Sequence, residues 1–155
     1  MGRRESRDAA VKMIFQQGFH PGEEINTEDI ISTFIDNAQY FDDDDTKKEI
    51  DLNYTKELEF SYLKSVLDGV FDNVDTLDAM INKHAKGWTI SRMARIDVAI
   101  LRVAVYEVLY RDDIPFSVSV NEAVELAKKY SHDDAGSFVN GILASIISEI
   151  EGANG

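Results

Sequence analysis

RIDVAILRVAVYEVLY, residues 95–110, is apolar on almost every side of a helix, through Val98, Ile100, Leu101, Val103, Val105, Val108 and Leu109. Its β-branched content would suit a strand, but ordinary strands run to about 3–10 residues and this stretch is longer. A helix with no wide polar face belongs in the middle of a bundle. The reading is therefore all-α, and the flanking sequence should supply the helices that surround this one.

Working toward the C-terminus, Pro115 breaks the chain. Ser119-Val120-Asn121-Glu122 then has capping-box spacing ahead of Ala123, Val124, Leu126 and Ala127, which predicts a helix starting there. Ser131 to Asp134 opens a last helix carrying Phe138, Val139, Ile142, Leu143, Ile146, Ile147 and Ile150. Working toward the N-terminus, Val74, Leu77, Met80 and Ile81 form an amphipathic stretch that ends near Gly87. Leu58, Tyr62, Leu63, Val66, Leu67, Val70 and Phe71 form another. Asn26-Thr27 offers an N-cap, with Glu28 and Asp29 favourable in the first turn. Residues 4–18 form a first helix with a basic start. The pattern is lost from about residue 39 to 53, where the run Asp42-Asp43-Asp44-Asp45 repels itself and reads as a loop. The expectation is one domain over residues 1–155, a bundle of about seven helices with an acidic loop at about 39–53.

Composition narrows the function. The 155 residues carry no Cys, which removes disulfides, thiolate metal sites and cysteine nucleophiles. The longest uncharged run, Ala135 to Ser148, is too short to span about 30 Å of hydrocarbon. No secretory h-region precedes it, so a soluble cytoplasmic protein with no membrane partner is expected. The net charge is −13 but unevenly spread. Residues 1–12 hold four bases and two acids, whereas residues 20–60 hold thirteen acids and three bases. Steering follows local patches as well as net charge, so an RNA ligand is not excluded. The acidic block is expected on the far side from the basic start.

Sites for chemistry are sparse. Started at Asp42, an EF-hand loop would need Gly at its sixth position and Glu at its twelfth, and finds Lys47 and Asn53. His20, His84 and His132 lie far apart, without metal-ligand spacing. Gly69, Gly136 and Gly141 are isolated within helices and suit close packing rather than a phosphate loop. No nucleophile–base arrangement stands out, so no enzyme, metal or cofactor is expected. Arg3, Arg4 and Arg7 are the informative cluster. Arg3 and Arg7 fall one turn apart on one helical face with Arg4 beside them, a spacing that can straddle phosphates or stack on unpaired bases. Arg92, Arg95 and Arg102 also share a sector, where ion pairing with nearby Asp97 and Glu107 is the plainer reading.

Four segments together carry a resemblance: Arg7-Asp8-Ala9-Ala10-Val11 with Phe15-Gln16; Ile100 through Glu107; Asn121 through Lys128; and Phe138-Val139-Asn140-Gly141-Ile142-Leu143. In this order and spacing the chain resembles the NusB transcription antitermination family over nearly its whole length. The resemblance implies a seven-helix fold and a boxA-like single-stranded RNA ligand from ribosomal RNA transcripts. It also implies the small-subunit ribosomal protein NusE as partner, with the RNA polymerase elongation complex reached indirectly; whether a homodimer forms is left open. By position it implies RNA contacts at Arg3, Arg4 and Arg7 and at Asp134, Ser137 and Phe138, and partner contacts at Phe15 and Tyr62. Phe15 stands where Tyr is common in relatives, and the acidic loop has no counterpart. Phe138, at helical spacing with Ile142, suits the core as well as a stacking role. A helical scaffold that binds only protein is the alternative function. Exchange of Arg7 for Glu is expected to weaken RNA binding with helix content intact, and removal of Asp42–Asp45 to change little.

Overall fold

The computed structural model describes residues 2–18, 24–38 and 58–154. The acidic loop, its aspartate run and His20 lie outside the described residues, as do the expectations attached to them. Among the described residues there are seven α-helices, one short 3-10 turn and no strand. The all-α expectation holds. None of these helices is long and apolar enough to cross a membrane. The chain divides into two compact units, Met1–Phe71 and Asp72–Gly155.

The first unit contains α1 (Arg3–Gln17), α2 (Thr27–Ala38) and most of α3 (Phe60–Asp72). In α1 every residue from Ser6 to Val11 is buried, with Met13 and Ile14 following. The polar members of that run therefore need partners inside the protein. The start of α2 is capped as its sequence suggests: the Asn26 side-chain oxygen accepts the Asp29 amide at 3.1 Å. From α3, Tyr62, Leu63, Val66, Leu67 and Val70 complete the apolar interior.

The second unit contains α4 (Val74–His84), a 3-10 turn (Ile90–Arg92), α5 (Arg95–Tyr110), α6 (Phe116–Tyr130) and α7 (Ala135–Asn154). As its apolar circumference requires, α5 touches α4, α6 and α7. Short connections at 111–115 and 131–134 stack α5, α6 and α7 in sequence.

Three polar arrangements tie this unit together, and two differ from the sequence expectation. The start of α6 is set by Pro115, whose fixed φ suits a helix entrance, so Ser119 lies inside the helix rather than at its cap. Its hydroxyl instead donates to the buried Glu107 carboxylate at 2.8 Å. Arg102 pairs neither with Asp97 nor with Glu107. It grips Asp78 of α4 through two parallel bonds of 2.9 and 2.8 Å, a bidentate geometry that only a guanidinium provides. Near the far end of α7, His84 Nδ1 lies 2.7 Å from the Ser145 hydroxyl and His84 Nε2 lies 2.8 Å from Glu149, which Lys83 also contacts. Lys83 first and His84 second hold the Glu149 carboxyl below its ordinary value of 4.5.

Of the glycines expected to allow close packing, Gly136 does so: a Cβ there would lie 3.3 Å from the Lys128 side chain on α6. Gly141 does not, since its Cβ position faces open space.

Candidate nucleic-acid interface

The first candidate surface is the entrance of α1. Ser6 organises it. Its buried hydroxyl donates to the Gly2 carbonyl at 2.6 Å and accepts the Glu59 amide at 2.7 Å. Glu59 in turn receives the Arg3 guanidinium at 2.7 Å. Arg3 and Arg7 share one face, as their spacing predicts, and that face is turned onto the ring of Tyr62. Their guanidinium carbons lie 4.6 and 5.7 Å from the ring centre, both within cation–π range.

This geometry sorts the three arginines. Arg7 is only 4% exposed, Arg3 is half-buried and Arg4 is exposed. The chemistry available to a phosphate at the surface therefore comes from Arg4 and partly from Arg3, with Arg7 fixing the ring beneath them. Lys12 is held by Asp8 one turn earlier at 3.0 Å. Glu59 belongs to the acidic block and sits against Arg3, so that block is not wholly on the far side from the basic start. The reason is local: Arg3 needs a counter-charge where its stem is buried, and Glu59 is next to it.

Phe15, further along α1, is 36% exposed. Tyr62 is 2% exposed, so its ring is covered by the arginines and by the helix interior. Beside Phe15's neighbours, a cleft of about 230 Å³ runs between α1 and α2, lined by Met13, Gln16, Ile30, Thr33 and Phe34 among others.

The second candidate surface is the entrance of α7. Asp134 and Ser137 are exposed there, and Phe138 is half-buried. The two readings of Phe138 are met by an intermediate arrangement, in which its ring packs edge to face with Trp88, centres 6.2 Å apart and planes at 74°. Trp88 is itself 52% exposed. His132, just before the helix, is exposed with Nε2 3.8 Å from the buried Asp97. Among the described residues no group of three metal-binding side chains occurs.

The structure thus brings Arg3, Arg7 and Tyr62 together in one unit, and Asp134, Ser137 and Phe138 in the other. Trp88 was not singled out by motif or spacing. The signal that could have found it is charge: residues 79–96 contain four Lys and Arg and no Asp or Glu, in a chain with 29 acids and 16 bases.

Residues 4–148 match the family model described as NusB family. A transcription antitermination protein NusB from Ruminiclostridium cellulolyticum is 44% identical over 146 residues, covering 94% of this chain and 88% of the relative. Its counterpart from Acetivibrio thermocellus is 43% identical over 150 residues, covering 95% and 89%. Among solved structures, T. maritima NusB superposes with a TM-score of 0.71 at 32% identity, covering 95% of this chain and 91% of that one. A structure described as antitermination factors NusB and NusE in complex with dsRNA has a TM-score of 0.70 at 23% identity, covering 96% and 97%, a likeness of fold.

Proposed function

The chain belongs to the NusB family, and from that premise we propose that it is a non-catalytic antitermination factor that binds boxA-like single-stranded RNA of ribosomal RNA transcripts together with the ribosomal protein NusE. The observation that carries the reading is the match of residues 4–148 to the NusB family model, alongside relatives named transcription antitermination protein NusB that align over 146 and 150 residues. The NusB neighbour described in complex with NusE and dsRNA supports a protein and an RNA partner, while the single-stranded form of the RNA is part of the proposal.

On this chain Arg4 and Arg3 would meet phosphates, and Arg7 would position Arg3 and Tyr62 from beneath. Asp134, Ser137 and Phe138 would form the second contact. Aromatic rings and hydrogen bonds to base edges suit unpaired RNA, whose bases are free to splay. Phe15 is the partner contact on α1, while Tyr62 acts through the arginines it supports. The elongating polymerase would be reached through this assembly.

One observation favours the scaffold-only alternative: Arg7 is buried and Arg3 already has a counter-ion, so fewer cations face solvent than the sequence suggests. Titration with a boxA-like oligoribonucleotide, with and without NusE and at several salt concentrations, separates the two. On single strands each neutralised phosphate adds about 0.7 to the salt slope. Weak binding with a shallow slope, tightened and steepened by NusE, supports the RNA reading. Absence of binding at low salt, with or without NusE, supports the scaffold.

A further inference from the structure

The acid-free stretch 79–96 becomes a defined surface in the structure. Lys83 is engaged with Glu149; Lys86 and Arg92 are exposed, two residues before and four residues after the exposed Trp88. The segment is well held. Lys86 and Gly87 take positive φ values of 45° and 92°, a reversal that suits glycine and strains lysine. The Trp88 amide then bonds back to the Ala85 carbonyl at 3.2 Å. Beyond it, the Ile90 amide donates to the Asn82 side chain at 2.9 Å, and Thr89 and Ser91 share a hydroxyl contact of 2.9 Å. Met93 is buried and pins the far side.

A large apolar ring kept half in water by a braced turn calls for an explanation, because burying it would stabilise the fold. Phe138 supports one part of the indole edge to face and leaves about half of the side chain open. An aromatic surface flanked by cations is what sequence-tolerant single-strand binders use, since every base has a π-face and every nucleotide a phosphate. In a chain of net charge −13, a run of eighteen residues with four Lys and Arg and no Asp or Glu stands out.

We propose that Trp88 stacks an unpaired RNA base, with Lys86 and Arg92 meeting the adjoining phosphates and Phe138 bracing the indole. This rests on the RNA-binding reading above and adds to it a contact that motif and position did not assign. Trp88 is the sole tryptophan of the chain, so the unaltered protein reports on its own site. Binding of a dye-labelled, unpaired boxA-like oligoribonucleotide is followed by anisotropy, and indole emission is read in parallel with the unlabelled strand.

Emission should be quenched over the same concentration range in which anisotropy rises, and the same sequence held in a duplex should quench far less. Trp88→Ala should weaken binding about tenfold, within the range for one stacked base, with an unchanged thermal midpoint, and Trp88→Phe should retain most of the affinity. If anisotropy rises while emission stays constant and Trp88→Ala binds as tightly as the parent, the stacking role is refuted and RNA binding stands. If NusE alone quenches the indole and RNA does not, the surface is a protein contact and the proposal fails. If no RNA binds at low salt, with or without NusE, the functional reading falls and the stacking role falls with it.

Discussion

Replacing Arg7 by Glu tests whether the basic entrance of α1 is a surface patch or a packed device. Arg4→Glu makes the same change in net charge one turn away, so the pair isolates burial. Arg7 is 4% exposed and faces the Tyr62 ring at 5.7 Å. Its loss removes a desolvated cation–π contact of up to about 2 kcal/mol, and a buried carboxylate there meets the negative face of the ring while Arg3, on the same face, is already committed to Glu59. An uncompensated buried charge costs about 3–5 kcal/mol. For a chain of this size each kcal/mol lowers the midpoint by roughly 2–4 °C, giving a fall of roughly 6–20 °C. Arg4 is exposed, and its exchange should stay within about 0.5 kcal/mol. Thermal unfolding followed by circular dichroism reads both. The retained helix content expected from the sequence is thus replaced by a loss of stability. RNA titration should show Arg4→Glu weakened with an unaltered midpoint. If Arg7→Glu unfolds at the parent's temperature, the guanidinium is solvated in solution and the burial argument is wrong.

Ser119→Ala leaves the buried Glu107 carboxylate without that hydroxyl, and urea unfolding should show a loss of about 1–3 kcal/mol. Gly141→Ala places a methyl in open space within α7, so it should raise stability by up to about 1 kcal/mol, and an unfolding midpoint below the parent's would contradict the geometry. The Glu149 carboxyl is held low by Lys83 and His84, so its contribution to stability is complete above the ordinary value of 4.5 and is lost as pH falls through the lower folded value. Glu149→Gln should flatten the acid limb of a midpoint-against-pH curve, and an unchanged limb would show that the clasp does not form.

The order of helices was legible because it depends on periodicity within single segments. Residues 95–110 delimit α5 to the residue, and Asn26 caps α2 as its side chain allows. Legibility failed where a local pattern competed with a distant partner. Ser119 and Glu122 have the spacing of a cap, yet Pro115 starts the helix earlier and frees Ser119 to serve Glu107 on another helix. The shared face of Arg3 and Arg7 followed from helical geometry, but its burial depends on Tyr62, more than fifty positions away. Arg102 chose Asp78 over nearer acids for the same reason. Trp88 escaped because its only sequence signal is a run without acids, residues 79–96, and motif spacing does not register absences.

The Ser6–Glu59 and Arg3–Glu59 contacts join the first turn of the chain to the residue before α3, across 53 and 56 positions of sequence. The end of a helix ordinarily frays, because its first amides have no partner within the helix. Here fraying has to break a buried hydroxyl's bond to a distant amide and a charge-assisted bond as well. The arginine entrance is therefore held as firmly as the start of α3, and loosening either end should loosen the other.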